Sequence, residues 1–223
     1  MPTLHFAPEL LLLAQGSGLG MRCAIFDVDG VLTDGRLYIG EHGETVKAFH
    51  ALDGHGLKLL HQGGIAPLVI TGRDSAAVRR RVADLGLAHA LYGVHDKLAA
   101  AQSLLASRGI DWADTAAIGD DWPDLPLLRR AGLACASANA HAEVRAIAHH
   151  VTSRPGGHGA AREFCDLLLM AAGRYAELRA IAHHVTRAAG GHGAAREFCD
   201  LLLMGGGQYA RLLGAHMGTL DAR

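Results

Sequence analysis

The sequence has no excess of charge of either sign, because 21 lysines and arginines stand against 22 aspartates and glutamates. The formal net charge is −1 at pH 7 with histidine counted as neutral. Proteins that bind nucleic acid or anionic membranes through their overall charge carry a basic excess. The near-neutral balance therefore gives no electrostatic reason to expect a nucleic-acid or membrane partner.

Long hydrophobic runs and cysteine motifs are also missing. The apolar run Leu10–Ala14 is far shorter than the roughly 20 residues that a membrane-spanning helix needs, and no positive stretch precedes it as in a secretory signal. We interpret residues 7–15 as a short helix packed on the domain. The four cysteines show no metal-binding or redox spacing and lie in apolar stretches, which favours buried, reduced thiols in a cytoplasmic protein.

Short apolar runs alternate with helical patterns along the chain. The predicted strands are Arg22–Asp27, Pro67–Thr71, Thr115–Gly119 and Leu133–Ala136, and the predicted helices are Ser75–Leu85, Lys97–Ser107 and Asp124–Ala131. This alternation favours an α/β fold, with a Rossmann-like parallel sheet and helices on both faces. Segments Arg36–Gly40 and Thr45–Phe49 flank a turn and predict a β-hairpin inserted after the first strand.

The C-terminal third contains a tandem duplication. Residues 143–152 recur as 177–186, and residues 156–170 recur as 190–204, at a constant offset. Two copies are too few for a solenoid. The first copy follows the core without an added linker, so its docking costs less chain entropy, and we expect it to complete the domain. The expected parts are a domain of residues 1–176, a duplicate of segment 143–176 at residues 177–210, and a tail of residues 211–223.

Two aspartates follow the first predicted strand, in the pattern Asp27-Val28-Asp29-Gly30. Ligands of open α/β sheets bind beyond the carboxyl ends of the strands. Asp27 could attack a substrate there while Asp29 acts as acid and base toward the leaving oxygen, and Gly30 would let the backbone approach a ligand closely. The alternative is a turn with solvated aspartates, and the motif alone does not decide between the two.

Three further strand ends carry polar residues. Asp120, with Asp121 and Asp124 nearby, could supply oxygen ligands for Mg²⁺ or merely cap a helix. Thr71 opens a helix, as an anion-binding residue or an ordinary turn would. Lys97 could neutralise a phosphate oxygen or face solvent. A parallel sheet brings all these ends to one edge, and phosphoryl transfer needs this inventory of nucleophile, proton carrier, cation and phosphate clamps.

On these motifs the sequence resembles the haloacid dehalogenase superfamily and, within it, the 3-deoxy-D-manno-octulosonate 8-phosphate phosphatase family, from about Arg22 to Ala176. The matching segments are Phe26–Gly35, Lys47–Phe49, Asp53–Gly54, Ile70–Arg73, Asp96–Lys97, Ile118–Asp121 and Gly156–Glu163. The resemblance implies a Mg²⁺-dependent phosphatase that releases a free sugar acid and phosphate through an aspartyl-phosphate, in lipopolysaccharide precursor synthesis. It also implies a cytoplasmic homotetramer.

The resemblance assigns roles to individual residues. Asp27 would be the nucleophile and Asp29 the general acid and base, and Mg²⁺ would be held by Asp27, the backbone carbonyl of Asp29, and Asp120. Thr71 and Lys97 would bind the phosphoryl group. Substrate contacts are implied for Asp29, His50, Ala51, Leu52, Asp53, Gly54, Lys58, Thr71, Gly72, Arg73, Arg81 and Lys97. Leu52 and His50 depart from the arginine and asparagine of many members, which affects sugar recognition rather than the reaction.

No segment between the motifs is long enough to form a cap domain. Only a hairpin and a helix separate Asp29 from Thr71, and only a helix and a short strand separate Thr71 from Lys97. In the family, the hairpin and tail of a neighbouring subunit cover the site instead. Two alternatives stay open: a phosphatase for a sialic-acid-type sugar 9-phosphate, and a non-catalytic oligomeric module of the same fold. The module should have lost a motif residue, and none is missing.

Overall fold

The computed structural model describes residues 5–18, 20–175 and 190–218. In chain order its helices and strands are α1 (Pro8–Leu13), β1 (Cys23–Phe26), β2 (Tyr38–Gly40), β3 (Gly43–Val46), α2 (Ala51–Gln62), β4 (Ala66–Ile70), α3 (Ala76–Leu85), β5 (Ala90–Leu91), α4 (Lys97–Ala106), β6 (Thr115–Gly119), α5 (Leu125–Leu128), β7 (Leu133–Ala136), α6 (Ala142–Ile147), β8 (His150–Val151), α7 (Ala160–Ala171), α8 (Ala194–Gly205) and α9 (Tyr209–Gly218). The chain divides into two compact units, residues 1–179 and residues 180–223.

Six strands of the first unit form one parallel sheet in the order β5-β4-β1-β6-β7-β8. The central strand β1 pairs with β4 on one side and with β6 on the other. Because every pair is parallel, the carboxyl ends of β1, β4 and β6 lie next to one another at one edge of the sheet. The structure confirms the predicted α/β fold and the predicted sheet.

Helices cover both faces of this sheet. Successive side chains of a strand point to opposite faces, so Ala24 and Phe26 pack with α2, α3 and α7, whereas Cys23 and Ile25 pack with α4, α5 and α6. All four residues of β1 are buried. Burial on both faces explains why this strand is a continuous apolar run rather than an alternating one.

The hairpin exists, but its strands are shorter than predicted. Strand β3 begins at Gly43 and ends at Val46, whereas the prediction placed it at Thr45–Phe49. Gly40 pairs with Gly43, which leaves only residues 41 and 42 in the turn. Gly43 has a φ of +106°, a left-handed conformation that glycine adopts without strain, and this permits the tighter turn.

The predicted helix Asp124–Ala131 is also shorter in the structure. A single 3₁₀ turn, Trp122–Asp124, precedes α5, which ends at Leu128. The chain then turns into β7 because the N–H of Gly132 donates to the carbonyl oxygen of Trp112 at 2.8 Å.

The two copies of the duplicated helix lie in different surroundings. In the first copy, α7 packs against α2, and Phe164 is fully buried with its ring 5.5 Å from that of Phe26. Phe198, the equivalent residue of α8, is 49% exposed. The other equivalent pairs behave alike: Leu167 and Leu168 are buried, and Leu201 and Leu202 are exposed. The first copy therefore supplies the core of the first unit.

The prediction that all four thiols are buried is wrong for Cys199. Cys23, Cys135 and Cys165 are buried, but Cys199, which lies on α8, is exposed. Burial raises the pKa of Cys23 to about 12. Among the described residues, no helix has both the length and the apolar character to cross a membrane.

The predicted domain boundaries at residues 176 and 210 remain predictions. Residues 176–189 lie outside the described ranges, as do residues 219–223 of the expected tail. Helix α9 runs across the boundary predicted between the duplicate and the tail.

Candidate active site

Asp27 follows directly after the central strand. Its N–H donates to the carbonyl oxygen of Ile118 at 3.2 Å, so the β1–β6 ladder continues up to this residue. Only 8% of the residue is exposed. Its Oδ1 accepts a hydrogen bond of 2.6 Å from the Nζ of Lys97. The nucleophile predicted from sequence therefore lies at the carboxyl edge of the sheet, fixed by a buried cation.

The loop after Asp27 depends on glycine at two positions. Gly30 has a φ of +90°, and a Cβ on it would overlap the carboxylate of Asp120. A Cβ on Gly156 would overlap the carbonyl group of Gly30. The next N–H, of Gly157, donates to the carbonyl oxygen of Val31 at 2.9 Å. The glycine-rich loop of the first copy thus supports the catalytic loop of its own chain.

Lys97 is a buried member of the site rather than a solvated surface lysine. It begins α4, whose N-cap Asp96 accepts the N–H of Ala99 at 2.9 Å. Its Nζ donates to Asp27 and also to Oδ1 of Asp124, at 2.7 Å. Burial lowers the pKa of Lys97, but the neighbouring carboxylates of Asp27 and Asp124 outweigh it, so the pKa is raised and the ammonium stays charged.

Asp124 is both a structural residue and a member of the site. Its Oδ2 accepts the N–H groups of Asp120 and Asp121, at 3.0 and 3.4 Å, which fixes the turn after β6. Its Oδ1 is the second acceptor of Lys97. The sequence left open the roles of Asp121 and Asp124 near the metal; both line the cleft, but Asp124 is buried and Asp121 is exposed.

Three carboxylates converge at this point. Single oxygens of Asp27, Asp120 and Asp124 lie within 4.8 Å of one another. Burial raises the pKa of Asp27 to about 6, with added repulsion from Asp124 and opposition from Lys97. Burial, with repulsion from Asp27 and Asp124, raises the pKa of Asp120 to about 8. A hard divalent cation that prefers oxygen ligands offsets such crowding, so the residues present fit Mg²⁺.

The carboxylates open into a cleft of about 430 Å³. It is lined by Asp27, Asp29, Gly35, Thr71, Gly72, Arg73, Val94, His95, Lys97, Asp120, Asp121, Pro123 and Asp124. Thr71, the first residue after β4, is buried, and its Oγ1 accepts the N–H of Arg73 at 3.3 Å. The cleft therefore brings together predicted residues from all four strand ends.

Seven residues for which the resemblance implies substrate contacts do not line this cleft: His50, Ala51, Leu52, Asp53, Gly54, Lys58 and Arg81. Asp53 instead accepts the N–H groups of Gly159 and Arg162, at 3.2 and 2.8 Å, and so fixes the start of α7. Gly54 packs against the guanidinium of Arg81, which also lies over the ring of Phe49. Within this chain Asp53 thus joins α2 to α7, and Gly54 and Arg81 join α2 to α3.

Two residues near the site were missed by the sequence reasoning. Lys47 contacts the carboxylate of Asp29, and only 1% of its side chain is exposed. Glu44 lies 3.3 Å from the Nζ of Lys47. The only sequence signal was the place of Lys47 in a segment shared with the family, because a lysine beside a hairpin is normally a surface residue.

Comparisons with known proteins agree with this geometry. Residues 91–164 match the family of haloacid dehalogenase-like hydrolases. The chain is 42% identical over 167 residues to the 3-deoxy-D-manno-octulosonate 8-phosphate phosphatase of Salmonella typhimurium, an alignment that covers 75% of this chain and 87% of that protein.

Two solved structures of enzymes with this name are also similar to the chain. The enzyme of that name from Yersinia pestis superposes with a TM-score of 0.73 at 39% identity, covering 77% of this chain and 90% of that one. The Moraxella catarrhalis enzyme, solved with a magnesium ion, a phosphate ion and a KDO molecule, superposes with a TM-score of 0.72 at 39% identity, covering 76% and 95%.

Proposed function

Because the chain belongs to the 3-deoxy-D-manno-octulosonate 8-phosphate phosphatase family of the haloacid dehalogenase superfamily, we propose that it hydrolyses that sugar acid phosphate in a Mg²⁺-dependent reaction. The products are the free sugar acid and inorganic phosphate. The observation that carries the proposal is the buried Lys97 between Asp27 and Asp124 at the carboxyl edge of the sheet. The reaction serves lipopolysaccharide precursor synthesis.

In the proposed first step, a carboxylate oxygen of Asp27 attacks the phosphorus atom. The bond from phosphorus to the sugar oxygen breaks, and this oxygen takes a proton from Asp29. Lys97 and Thr71 bind the oxygens of the phosphoryl group. In the second step Asp29 takes a proton from water, and the water attacks the phosphorus of the aspartyl-phosphate and releases Asp27. Asp27 and Lys97 line the cleft with only 8% and 6% of each residue exposed.

Asp27, the backbone carbonyl of Asp29, and Asp120 would hold the magnesium ion. When bound, the ion neutralises charge that develops on the phosphoryl oxygens. Asp124 lies in the same carboxylate cluster, but it is already engaged by Lys97 and by two backbone N–H groups. We assign it to orienting Lys97 rather than to the metal.

The substrate assignment is tested by phosphate release from a panel of sugar phosphates, with Mg²⁺ and with excess chelator. The account predicts that kcat/KM is highest for 3-deoxy-D-manno-octulosonate 8-phosphate. A higher value for a sialic-acid-type sugar 9-phosphate would replace the substrate and keep the reaction. Absence of phosphate release from every sugar phosphate would favour the non-catalytic module.

We also propose that the protein is a cytoplasmic homotetramer. The hairpin exposes apolar side chains on strands, a feature of protein interfaces. Exposed fractions are 45% for Leu37, 43% for Tyr38, 62% for Ile39 and 57% for Val46. The seven residues with implied substrate contacts that lie outside the cleft would make such contacts only in the assembled tetramer.

The proposed domain is residues 1–176, with residues 177–210 as a spare copy and residues 211–223 as a tail. Truncation after Ala176 should therefore leave kcat/KM and the tetramer unchanged, because α7 of the first copy already fills the core. Sedimentation and phosphate release measure the two quantities. Loss of folding or turnover on truncation would mean that the second copy is the working one.

The duplication offers its own matched control. Phe164→Ala removes a fully buried ring and should cost about 3–5 kcal/mol of unfolding free energy. Phe198→Ala makes the same chemical change at a half-exposed site and should cost less than about 1 kcal/mol. Equal losses in the two variants would contradict the assignment of the first copy to the core.

A further inference from the structure

Lys47 is a buried cation for which the reaction described above has no use. It follows β3 at the base of the hairpin, and 1% of its side chain is exposed. A buried ammonium is costly unless it is paired and hydrogen-bonded. Its Nζ donates to Oδ1 of Asp29 and lies 3.3 Å from Oε2 of Glu44. A residue of the hairpin thus contacts the proposed proton carrier directly.

These residues form an alternating charge network. Oε1 of Glu44 accepts a hydrogen bond from the hydroxyl of Ser75, the residue that precedes α3. The guanidinium of Arg73 lies 3.6 Å from Oε2 of Glu44 and 3.8 Å from Oδ2 of Asp29. The network contains two carboxylates and two cations, so its formal charges balance.

The two carboxylate oxygens of Asp29 have different partners in this network. Lys47 contacts Oδ1, and the hydroxyl of Thr33 lies 3.5 Å from the same oxygen. Oδ2 lies on the side of Arg73, whose side chain lines the cleft. With Oδ1 held by a buried cation, Oδ2 is the oxygen presented to a substrate.

We propose that Lys47 is a positioning residue of the reaction: it fixes the carboxyl group of Asp29 so that Oδ2 faces the leaving oxygen. The inference rests on the proposed phosphatase function. In its first step the bond between Asp27 and phosphorus forms, the bond from phosphorus to the leaving oxygen breaks, and that oxygen takes its proton from Oδ2 of Asp29. Lys47 touches none of the reacting atoms and acts through Asp29 alone.

The dependence on the leaving group tests this role. A poor leaving oxygen, as in phenyl phosphate or a sugar phosphate, needs a positioned acid, whereas p-nitrophenolate leaves without one. Lys47→Met should lower kcat/KM by roughly 100-fold for phenyl phosphate and for the sugar acid 8-phosphate, but by less than about 5-fold for p-nitrophenyl phosphate. The value of kcat/KM is used because it reports the steps up to the first P–O cleavage.

Two controls accompany the variant, and a further substitution replaces it if it does not fold. Lys47→Arg keeps a cation beside Asp29 and should restore most of the lost kcat/KM. Arg80→Met removes a cation whose side chain is 81% exposed, and it should change none of the three values. If Lys47→Met does not fold, as judged by its melting transition, Lys47→Gln takes its place with the same expectation.

An equal loss with all three substrates would mean that Lys47 only supports the fold, and no loss with any would mean that it has no role; either result overturns the proposal. Wild-type turnover of the 8-phosphate tests the proposed function separately, because the ratio of the two aryl phosphates does not involve the sugar. A failure of the positioning role of Lys47 can thus be distinguished from a failure of the proposed phosphatase function.

Discussion

Asp27→Asn should lower kcat by roughly 10⁴-fold or more, because it removes the nucleophile on which both chemical steps depend. The fold should survive. Asparagine has nearly the same volume, and Lys97 keeps its hydrogen bond of 2.7 Å to Asp124. The loss of the Asp27 charge also relieves the repulsion that contributes to the raised pKa of Asp120.

The measurement is phosphate release under saturating substrate, together with the melting temperature and the oligomeric state. Asp84→Asn is a suitable control, since Asp84 pairs with Arg80 on the exposed surface of α3 and lies outside the cleft. It should leave kcat unchanged. If Asp27→Asn keeps more than a few per cent of the wild-type rate, the nucleophile is a different group.

Removal of the metal should have an effect of similar size. Excess chelator is expected to abolish phosphate release, and added Mg²⁺ to restore it. Without the ion, the clustered carboxylates of Asp27, Asp120 and Asp124 would repel the negatively charged phosphoryl group. Asp120→Asn removes one charged oxygen ligand. It should sharply raise the Mg²⁺ concentration needed for half-maximal rate.

The metal titration is run on the wild type, on Asp120→Asn and on the Asp84→Asn control. The control should show the wild-type Mg²⁺ dependence, since Asp84 lies on an exposed helix surface. Full turnover in excess chelator would rule out a metal-dependent reaction. An unchanged Mg²⁺ requirement in Asp120→Asn would remove this residue from the ligand set.

The catalytic edge was predictable because its residues lie immediately after buried strands. A parallel sheet places the carboxyl ends of its strands at one edge, and in the observed strand order Asp27, Thr71 and Asp120 line the same cleft. Lys97 was predicted by the same reasoning, although it lies at the start of the helix after β5 and not directly at a strand end. Local sequence and sheet geometry were sufficient for these residues.

Long-range contacts were not predictable in this way. Lys47 is buried only because the hairpin brings it against Asp29, and Asp53 caps a helix more than one hundred positions away along the chain. The resemblance assigned Asp53 to substrate, whereas its carboxylate is occupied by two backbone N–H groups. Pairings of this kind depend on tertiary packing, which no short motif records.

The duplicated helix shows the same limit most directly. Residues 156–170 and 190–204 have the same sequence, yet Cys165 is buried and Cys199 is exposed. The amphipathic pattern predicts an apolar face in both copies and cannot say which copy meets α2. We expected the first copy to dock because it follows the core without an added linker, and the buried residues of α7 agree with that expectation.

The stereochemical course at phosphorus tests the central claim most directly. The substrate is the sugar acid 8-phosphate with a thiophosphoryl group made chiral by oxygen isotopes, hydrolysed in isotopically labelled water. Attack by Asp27 followed by attack of water inverts the phosphorus centre twice, so the account predicts net retention in the released thiophosphate. Net inversion would mean that water attacks the substrate directly, and it would contradict an aspartyl-phosphate on Asp27.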